Sequence, residues 1–430
     1  MPGHAGQSDG HGKSGVWTRS FAALFLGQSA SSIGDAFVPL ASSFAVLHAG
    51  GSAVTIGLLF MTGLIARICS LLVGGVWADR LPRVLTMATS DLLRAAVQGA
   101  VAAAIIEHYG GVWPIFLGTI VYYVAAGFFT PAAGRIIPEI LPAGAIQRAN
   151  GLLSASTQSC QIVGQVLSGV LVAALGPGYA FAIDAISFLA SALLVTQVTG
   201  VVPSQVARGS FWQDFRVGWS EILRRRWYCF NLAMHALWNM GTAVFFVLGP
   251  VIMVRHYGGS AAWGIILAGI SAGSVAGGIA TASLRLRHTA AIANAAGMLA
   301  AAPLILLAFT MPLYSLVIGG AVAYAGAGLL DGVWRSMSQQ MLPVDIMSRV
   351  TASNWIVSLA AAPLGYGLAG PCASTVGVRP TLEGAAGITV LASVLLAGWA
   401  LRYRAIKTDS GVFQVGRPSS APTPTASAPG

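Results

Sequence analysis

The feature that most constrains this chain is a succession of long apolar stretches, separated by short loops that are alternately rich and poor in Arg. The stretches run over 20–47, 52–77, 84–107, 112–136, 148–174, 177–199, 228–254, 260–284, 289–310, 313–338, 348–371 and 380–402. Each has about the 20 apolar residues that a helix needs to cross a bilayer. In hydrocarbon every backbone N–H and C=O must be satisfied within the segment, so such stretches can only be helices. Composition agrees: 56% of the 430 residues are hydrophobic and only 8% are charged. A soluble domain carries nearer a quarter charged residues, and these few could not cover a chain of this size.

The net charge of +10 raises nucleic-acid binding as a reading. The distribution of the charge argues against it. Of 23 Lys and Arg residues, Arg255 and Arg379 fall in loops of one side, and Arg67 and Arg94 fall within stretches. The other nineteen lie in the N-terminal segment, the C-terminal segment, the loops of the opposite side and the ends of the stretches that border them. By the positive-inside rule this predicts twelve spans with both termini cytoplasmic. No nucleic-acid partner is expected, and the membrane lipid is. The first fifteen residues lack the apolar core of a cleaved leader, so the first span is expected to serve as an uncleaved anchor. The four cysteines form no Cys-x-x-Cys pair, and neither a metal site nor a cofactor is implied.

The loop at 200–227 is the longest internal one. Within it, Phe211, Phe215, Trp219 and Ile222 share one helical face, followed by Arg224, Arg225 and Arg226. This predicts an amphipathic helix on the inner leaflet, or else an ordinary basic linker. The predicted organisation is a cytoplasmic tail (1–19), a six-helix bundle (20–199), this linker (200–227), a second six-helix bundle (228–404) and a disordered tail rich in Ser, Pro, Thr and Ala (405–430). The halves repeat each other. At an offset of 201 residues, Gly127, Leu141, Pro142 and Arg148 meet Gly328, Leu342, Pro343 and Arg349. Gly164, Leu167, Gly169 and Gly176 meet Gly365, Leu368, Gly370 and Gly377. Parallel repeats of this kind build transporters that rock about a midplane site.

GGVWADRLPR (74–83) joins spans two and three. Gly74 and Gly75 permit close helix approach, and Pro82 can open the next helix. Gly75, Asp79, Arg80 and Arg83 match the Gly-x-x-x-Asp-Arg-x-Gly/Pro-Arg loop of the major facilitator superfamily, which the chain resembles over almost its whole length. Val84 stands where the family has a last basic residue. Within that superfamily the chain is similar to bacterial drug and siderophore exporters of the macrolide-efflux and enterobactin-export kind. The stretches that carry this are LGQSASSIGDAF (26–37), SDLLRAAV (90–97), RANGLLSASTQ (148–158) and FAIDAISFLASALL (181–194). The resemblance implies an all-α membrane protein of twelve helices in two pseudo-symmetric six-helix bundles. It also implies a conformational latch formed by Gly75, Asp79, Arg80 and Arg83, with Asp91 and Arg94 following on span three. One departure weakens an antiporter signature: where many proton-driven exporters have Gly-Pro-x-x-Gly-Gly on span five, this chain has GQVLSG, with Gln165 in the proline position.

Ionisable groups within a span are costly and mark function by default. Asp35, Arg67, Asp184 and Asp331 are the proton-coupling candidates. Asp35 ranks first, because Gln28, Ser31, Ser32 and Asp35 share a helical face and suggest a wet cavity wall. The alternative is a structural salt bridge between Asp35 and Arg67. For Asp184 a helix-packing hydrogen bond, and for Asp331 an ion pair with Arg335, are the competing readings. Candidate pocket residues are Gln28; Gln158, Gln161 and Gln165 on span five; Asn231, His235, Trp238 and Asn239 on span seven; and Trp334, Asn354 and Trp355. Amides and aromatics suit a bulky amphipathic solute, and inter-helix hydrogen bonds would use the same residues. The function expected is export of a bulky, largely apolar small molecule by proton antiport at the plasma membrane, by a monomer. The alternative is import or facilitation of a nutrient or metabolite. No Gly-x-x-x-x-Gly-Lys-Ser/Thr loop for ATP is present, and no enzymatic constellation appears.

Overall fold

In the computed structural model, residues 16–77, 81–200, 211–283, 295–341, 350, 358 and 360–409 are described. Among them the protein is helical, with no strand. The elements are α1 (Arg19–His48), α2 (Ala53–Trp77), α3 (Arg83–Ile106), α4 (Trp113–Ile140), α5 (Ala143–Leu175), α6 (Pro177–Val195), α7 (Phe211–Arg224), α8 (Arg226–His256), α9 (Ser260–Ser283), α10 (Gly297–Ala308), α11 (Leu313–Met341), α12 (Ala362–Thr375) and α13 (Val378–Asp409). Ten are long and apolar enough to cross a membrane. Helices α10 and α12 are the described parts of the expected ninth and eleventh spans. The twelve spans form two pseudo-symmetric bundles, α1–α6 and α8–α13.

The helix ends follow local chemistry. Thr18 caps α1 by accepting a hydrogen bond from the Phe21 N–H at 3.1 Å. Pro82 supplies the N-cap of α3, where its missing N–H costs nothing. Gly176, at φ +95°, ends α5 and starts α6 in one residue, a backbone state that a side chain would strain. The helices α4 and α5 extend beyond the expected spans, so Arg135 and Arg148 lie inside helices rather than in loops.

Within the first half, α1 packs on α5 and α6, α3 on α4 and α6, and α2 on α4. Within the second, α9 packs on α11, and α8 on α12 and α13. The halves meet chiefly through α5 against α9 and α2 against α12. These contacts lie away from the face where α1 begins and α13 ends. Toward that distal face one apolar core is shared by both halves, including Leu40, Phe44 and Leu59 with Leu248, Trp263 and Ile266. Toward the terminal face each half has its own core. Phe21, Met87, Ile136 and Val195 form one, and Ile222, Tyr228, Leu232 and Trp334 form the other. Large apolar side chains such as Leu117, Ile186, Ile279 and Leu391 are exposed on the bundle surface, where lipid is their solvent.

The α5–α9 contact depends on two glycines. A Cβ on Gly264 would fall 2.7 Å from the Gln165 carbonyl oxygen and 2.9 Å from Gly169 Cα. The Ser260 hydroxyl donates to the Gly169 carbonyl at 3.1 Å and the Ser271 hydroxyl to Gln165 Oε1 at 2.8 Å. These are close backbone approaches fastened by small polar groups, as membrane helices use.

Helix α7 spans Phe211–Arg224, with Trp219 and Ile222 on it. Ile222 is buried and Trp219 half-buried against Tyr228 and Trp334 at the terminal end of the second half. Arg225 donates to the Glu221 carboxylate at 2.5 Å and to its carbonyl at 2.8 Å, at the single-residue break before α8. That hydrogen bond holds the Glu221 carboxyl below its usual range.

Gly264→Leu is therefore expected to wedge α5 from α9. Spin labels at Ser52→Cys and Ala261→Cys, one on each half at the distal face, should report a longer distance distribution than in the parent protein.

Candidate functional site: a buried charge cluster between α1, α3, α4 and α6

Helix α3 brings Asp91, Arg94 and Gln98 to one buried stripe; their exposures are 0%, 4% and 2%. The Arg94 guanidinium pairs with the Asp91 carboxylate. Ser191 on α6 donates to the other Asp91 oxygen at 2.7 Å. Arg94 also lies 3.9 Å from Asp35 on α1. Its guanidinium carbon sits 4.1 Å from the Phe188 ring centre and 4.6 Å from that of Phe129, a cation–π setting. Tyr122 on α4 donates to the Asp35 carboxylate. Asp184 on α6 accepts from Gln98 at 2.6 Å, and its second oxygen has no hydrogen-bond partner among the described residues. Helix α1 approaches through Gly34: a Cβ there would fall 2.3 Å from that Asp184 oxygen and 2.1 Å from the Ser187 hydroxyl.

Three of the predicted carboxylates thus converge with one arginine. Asp35 contacts Arg94 and Tyr122; Arg67, exposed on α2, acts on Asp35 electrostatically but less strongly than Arg94, and forms no ion pair with it among the described residues. The hydrogen bond expected of Asp184 is present, from Gln98. The carboxylates differ in access: the Asp35 side chain is 32% exposed, whereas the Asp91 side chain is fully buried. Of the three, Asp35 is the one whose side chain is not fully buried.

The latch residues are partly outside the described region: Asp79 and Arg80 lie there, and Gly75 is in the last turn of α2. Arg83 pairs with Glu139 at the end of α4. Glu139 was not singled out from the sequence, because a carboxylate beside a span end reads as a loop charge.

The amide and aromatic candidates do not form one pocket in this conformation. Gln161 reaches the Ser32 carbonyl at 3.4 Å, and Gln165 takes the α5–α9 bond from Ser271. Gln28 is half-buried and Gln158 exposed. Trp238 donates to the Gly297 carbonyl at 3.2 Å, and Asn239 to the His235 and Ser358 carbonyls at 3.0 and 3.1 Å. Apart from the Asn239 bond to His235, which is within α8, these bonds tie separate segments together. A smaller group does converge on α8: Asn231 is buried, His235 stacks edge-on to Trp334 at 5.7 Å, and Asn231 Oδ1 and His235 Nε2 carry no hydrogen bond among the described residues. Asp331 is exposed on α11. Asn354 and Trp355 lie outside the described residues.

The repeat shows in three dimensions and exposes an asymmetry. Gly34-Asp35 on α1 faces Asp184 and Ser187 on α6; correspondingly, Gly241-Thr242 on α8 faces Thr389 and Ala385 on α13. At the 201-residue offset Ala385 stands opposite Asp184, so this helix pair in the second half has no carboxylate at that place.

The sequence model of the Major Facilitator Superfamily matches residues 24–365. The multidrug efflux pump Tap of Mycolicibacterium fortuitum is 25% identical over 374 residues, 84% of this chain and 90% of that protein. Macrolide efflux protein A of Streptococcus pyogenes is 22% identical over 240 residues, 55% of this chain and 57% of that protein. Among solved structures, a bacterial homologue of the lysosomal transporter Spinster, inward-facing and unoccupied, superposes with a TM-score of 0.69 at 16% identity, covering 91% of this chain and 97% of that one. The chain belongs to the Major Facilitator Superfamily, and is accordingly a multi-span membrane transporter rather than an enzyme.

Arg94→Ala should leave the Asp91 carboxylate buried against Ser191 alone, at a cost of about 3–5 kcal/mol. Thermal unfolding in detergent should show the loss, and adding Asp91→Asn to Arg94→Ala should recover a large part of it.

Proposed function

We propose that this transporter exports a bulky, largely apolar small molecule across the cell membrane, taking up protons in exchange through Asp35. The observation that carries the reading is the cluster of Asp35, Tyr122, Arg94 and Asp91, in which one carboxylate is accessible and the other is sealed. When Asp35 is ionised, Arg94 lies between two carboxylates and Tyr122 donates to Asp35. When Asp35 is protonated, the attraction holding Arg94 and Tyr122 toward α1 is lost, and Arg94 falls wholly to Asp91. The proton thus changes how α1 is held to α3 and α4, the kind of two-state element that coupling requires. One charge moving inward across 100 mV releases about 2.3 kcal/mol, enough for a more than tenfold solute gradient.

The second half supplies the neutral surface. Asn231 Oδ1 and His235 Nε2, without a hydrogen-bond partner among the described residues, lie on the helix that packs against the Trp334 ring, a polar and aromatic surface that suits an amphipathic solute. The names of the relatives, a multidrug efflux pump and a macrolide efflux protein, point the same way. The excess of Lys and Arg at the terminal face supports a cytoplasmic location for both termini. With that orientation the closed distal face makes this the inward-facing state. Residues 20–199 and 228–404 would then be the rocking bodies, joined by 200–227, with Gly75, Asp79, Arg80 and Arg83 latching the opposite state and the monomer as the working unit.

The test is uptake into inverted vesicles with an imposed pH gradient, using ethidium and a macrolide as probes. Uptake should collapse with an uncoupler and fall at least about tenfold in Asp35→Asn, a loss of roughly 1.4 kcal/mol of drive. Asp184→Asn, which keeps an acceptor for Gln98, should fall far less. Uptake that ignores both the uncoupler and Asp35→Asn would overturn proton exchange at this residue.

A further inference from the structure

At the distal mouth the two halves enclose a cavity of ≈ 600 Å³. Its walls come from both: Gly51 to Val54 at the start of α2, the last turns of α8, the end of α10, and α12 with the start of α13. That volume is within the range of drug-sized ligand sites, about 300–1,000 Å³. The walls are largely apolar, with Leu248, Val251 and Ile252 on one side and Val54 on another. Its rim carries Arg255, His256 and Arg379. These two arginines are the basic residues that depart from the charge rule followed by the rest of the chain. Arg379 is held in place: its Nε donates to Glu383 at 2.8 Å and its guanidinium lies 4.2 Å from the Phe309 ring centre. The remaining guanidinium nitrogens of Arg379 are free of that bond. Arg255 has no ion pair among the described residues, and the α8 terminus beside it is already closed by Tyr257 and Gly259 N–H bonds to the Met253 carbonyl.

We infer that this cavity binds a single-chain amphiphilic anion from the distal aqueous phase, with its acid group on Arg255 and Arg379 and its chain along the apolar walls. An apolar slot with a cationic rim matches a compound that has one chain and one negative head. The cavity lies between the halves, and its floor is a close backbone contact between them: a Cβ on Gly370 of α12 would fall 2.4 Å from Val54 Cα of α2. Opening the distal face parts α2 from α12 and dismantles the walls. A ligand that binds only the closed form stabilises it by its differential affinity. The site is therefore inhibitory from the distal side. This last step rests on alternating access and not on the identity of the cargo.

Decanesulfonate is a suitable probe, because it is permanently charged and carries no proton across the bilayer. Equilibrium binding is measured with the full chain in phosphatidylcholine nanodiscs, without any transported solute, so failure of the export reading leaves the result unaffected. Decanesulfonate should bind saturably, and decyltrimethylammonium and decyl maltoside should not compete. Arg255→Gln and Arg379→Gln should each weaken binding about fivefold or more, as loss of a charge-assisted contact does. Gly370→Leu, which cannot seat against Val54, should weaken it as well while both arginines remain. Including phosphatidylglycerol in the disc should not displace the probe. Equal binding by the uncharged or cationic chain, or unchanged binding in both arginine variants, would overturn the site. Unchanged binding in Gly370→Leu would overturn its selectivity for the closed state, and displacement by phosphatidylglycerol would assign the cavity to lipid.

Discussion

A guanidinium buried among helices in a bilayer must be matched, because its charge is far more costly there than in water. Arg94 is matched on every side: Asp91 on its own helix, Asp35 across on α1, and the faces of Phe129 and Phe188. Four helices are thereby fixed to one another through one side chain. Removing any partner would leave charge uncompensated. The partly exposed Asp35 is the carboxylate at the edge of this arrangement.

The second half is built differently. Where α6 carries Asp184, α13 carries Ala385 at the repeat offset, and the Gly241 contact of α8 meets Ala385 and Thr389. Its polar groups are mainly spent on helix-to-helix bonds, such as Trp238 to the Gly297 carbonyl. The two halves touch through backbone close approaches at Gly169, Gly264 and Gly370. Small residues at an interface give a surface that can close tightly and part without breaking an ion pair. A shared distal core with separate terminal cores is the geometry of a pair of bodies closed at one end.

The alternation of apolar stretches with Arg-rich loops made the fold legible before any coordinates, because hydrophobic length and charge placement are direct consequences of bilayer physics. The glycine repeat was legible for the same reason: close packing in lipid selects small residues at recurring places. The site was legible only in part. Asp35, Asp91, Arg94 and Asp184 stand out as charges in apolar runs. Their pairing does not, since Asp35 could have met Arg67 as readily as Arg94 on sequence alone. Tyr122, Gln98 and Ser191 gave no signal, because such residues are common in membrane helices and acquire meaning only when a carboxylate lies opposite. The amides at 161, 165 and 239 read as pocket candidates on sequence, yet tertiary contacts spend them on neighbouring segments.

The central claim is that Asp35 gives up a proton when solute binds and takes one when it leaves. Proton release into lightly buffered detergent solution, followed with a pH indicator as ethidium or a macrolide is added to the purified protein, tests it most directly. The account predicts close to one proton per solute bound, and none from Asp35→Asn even when that variant still binds the solute. Equal proton release from the parent protein and Asp35→Asn would contradict it.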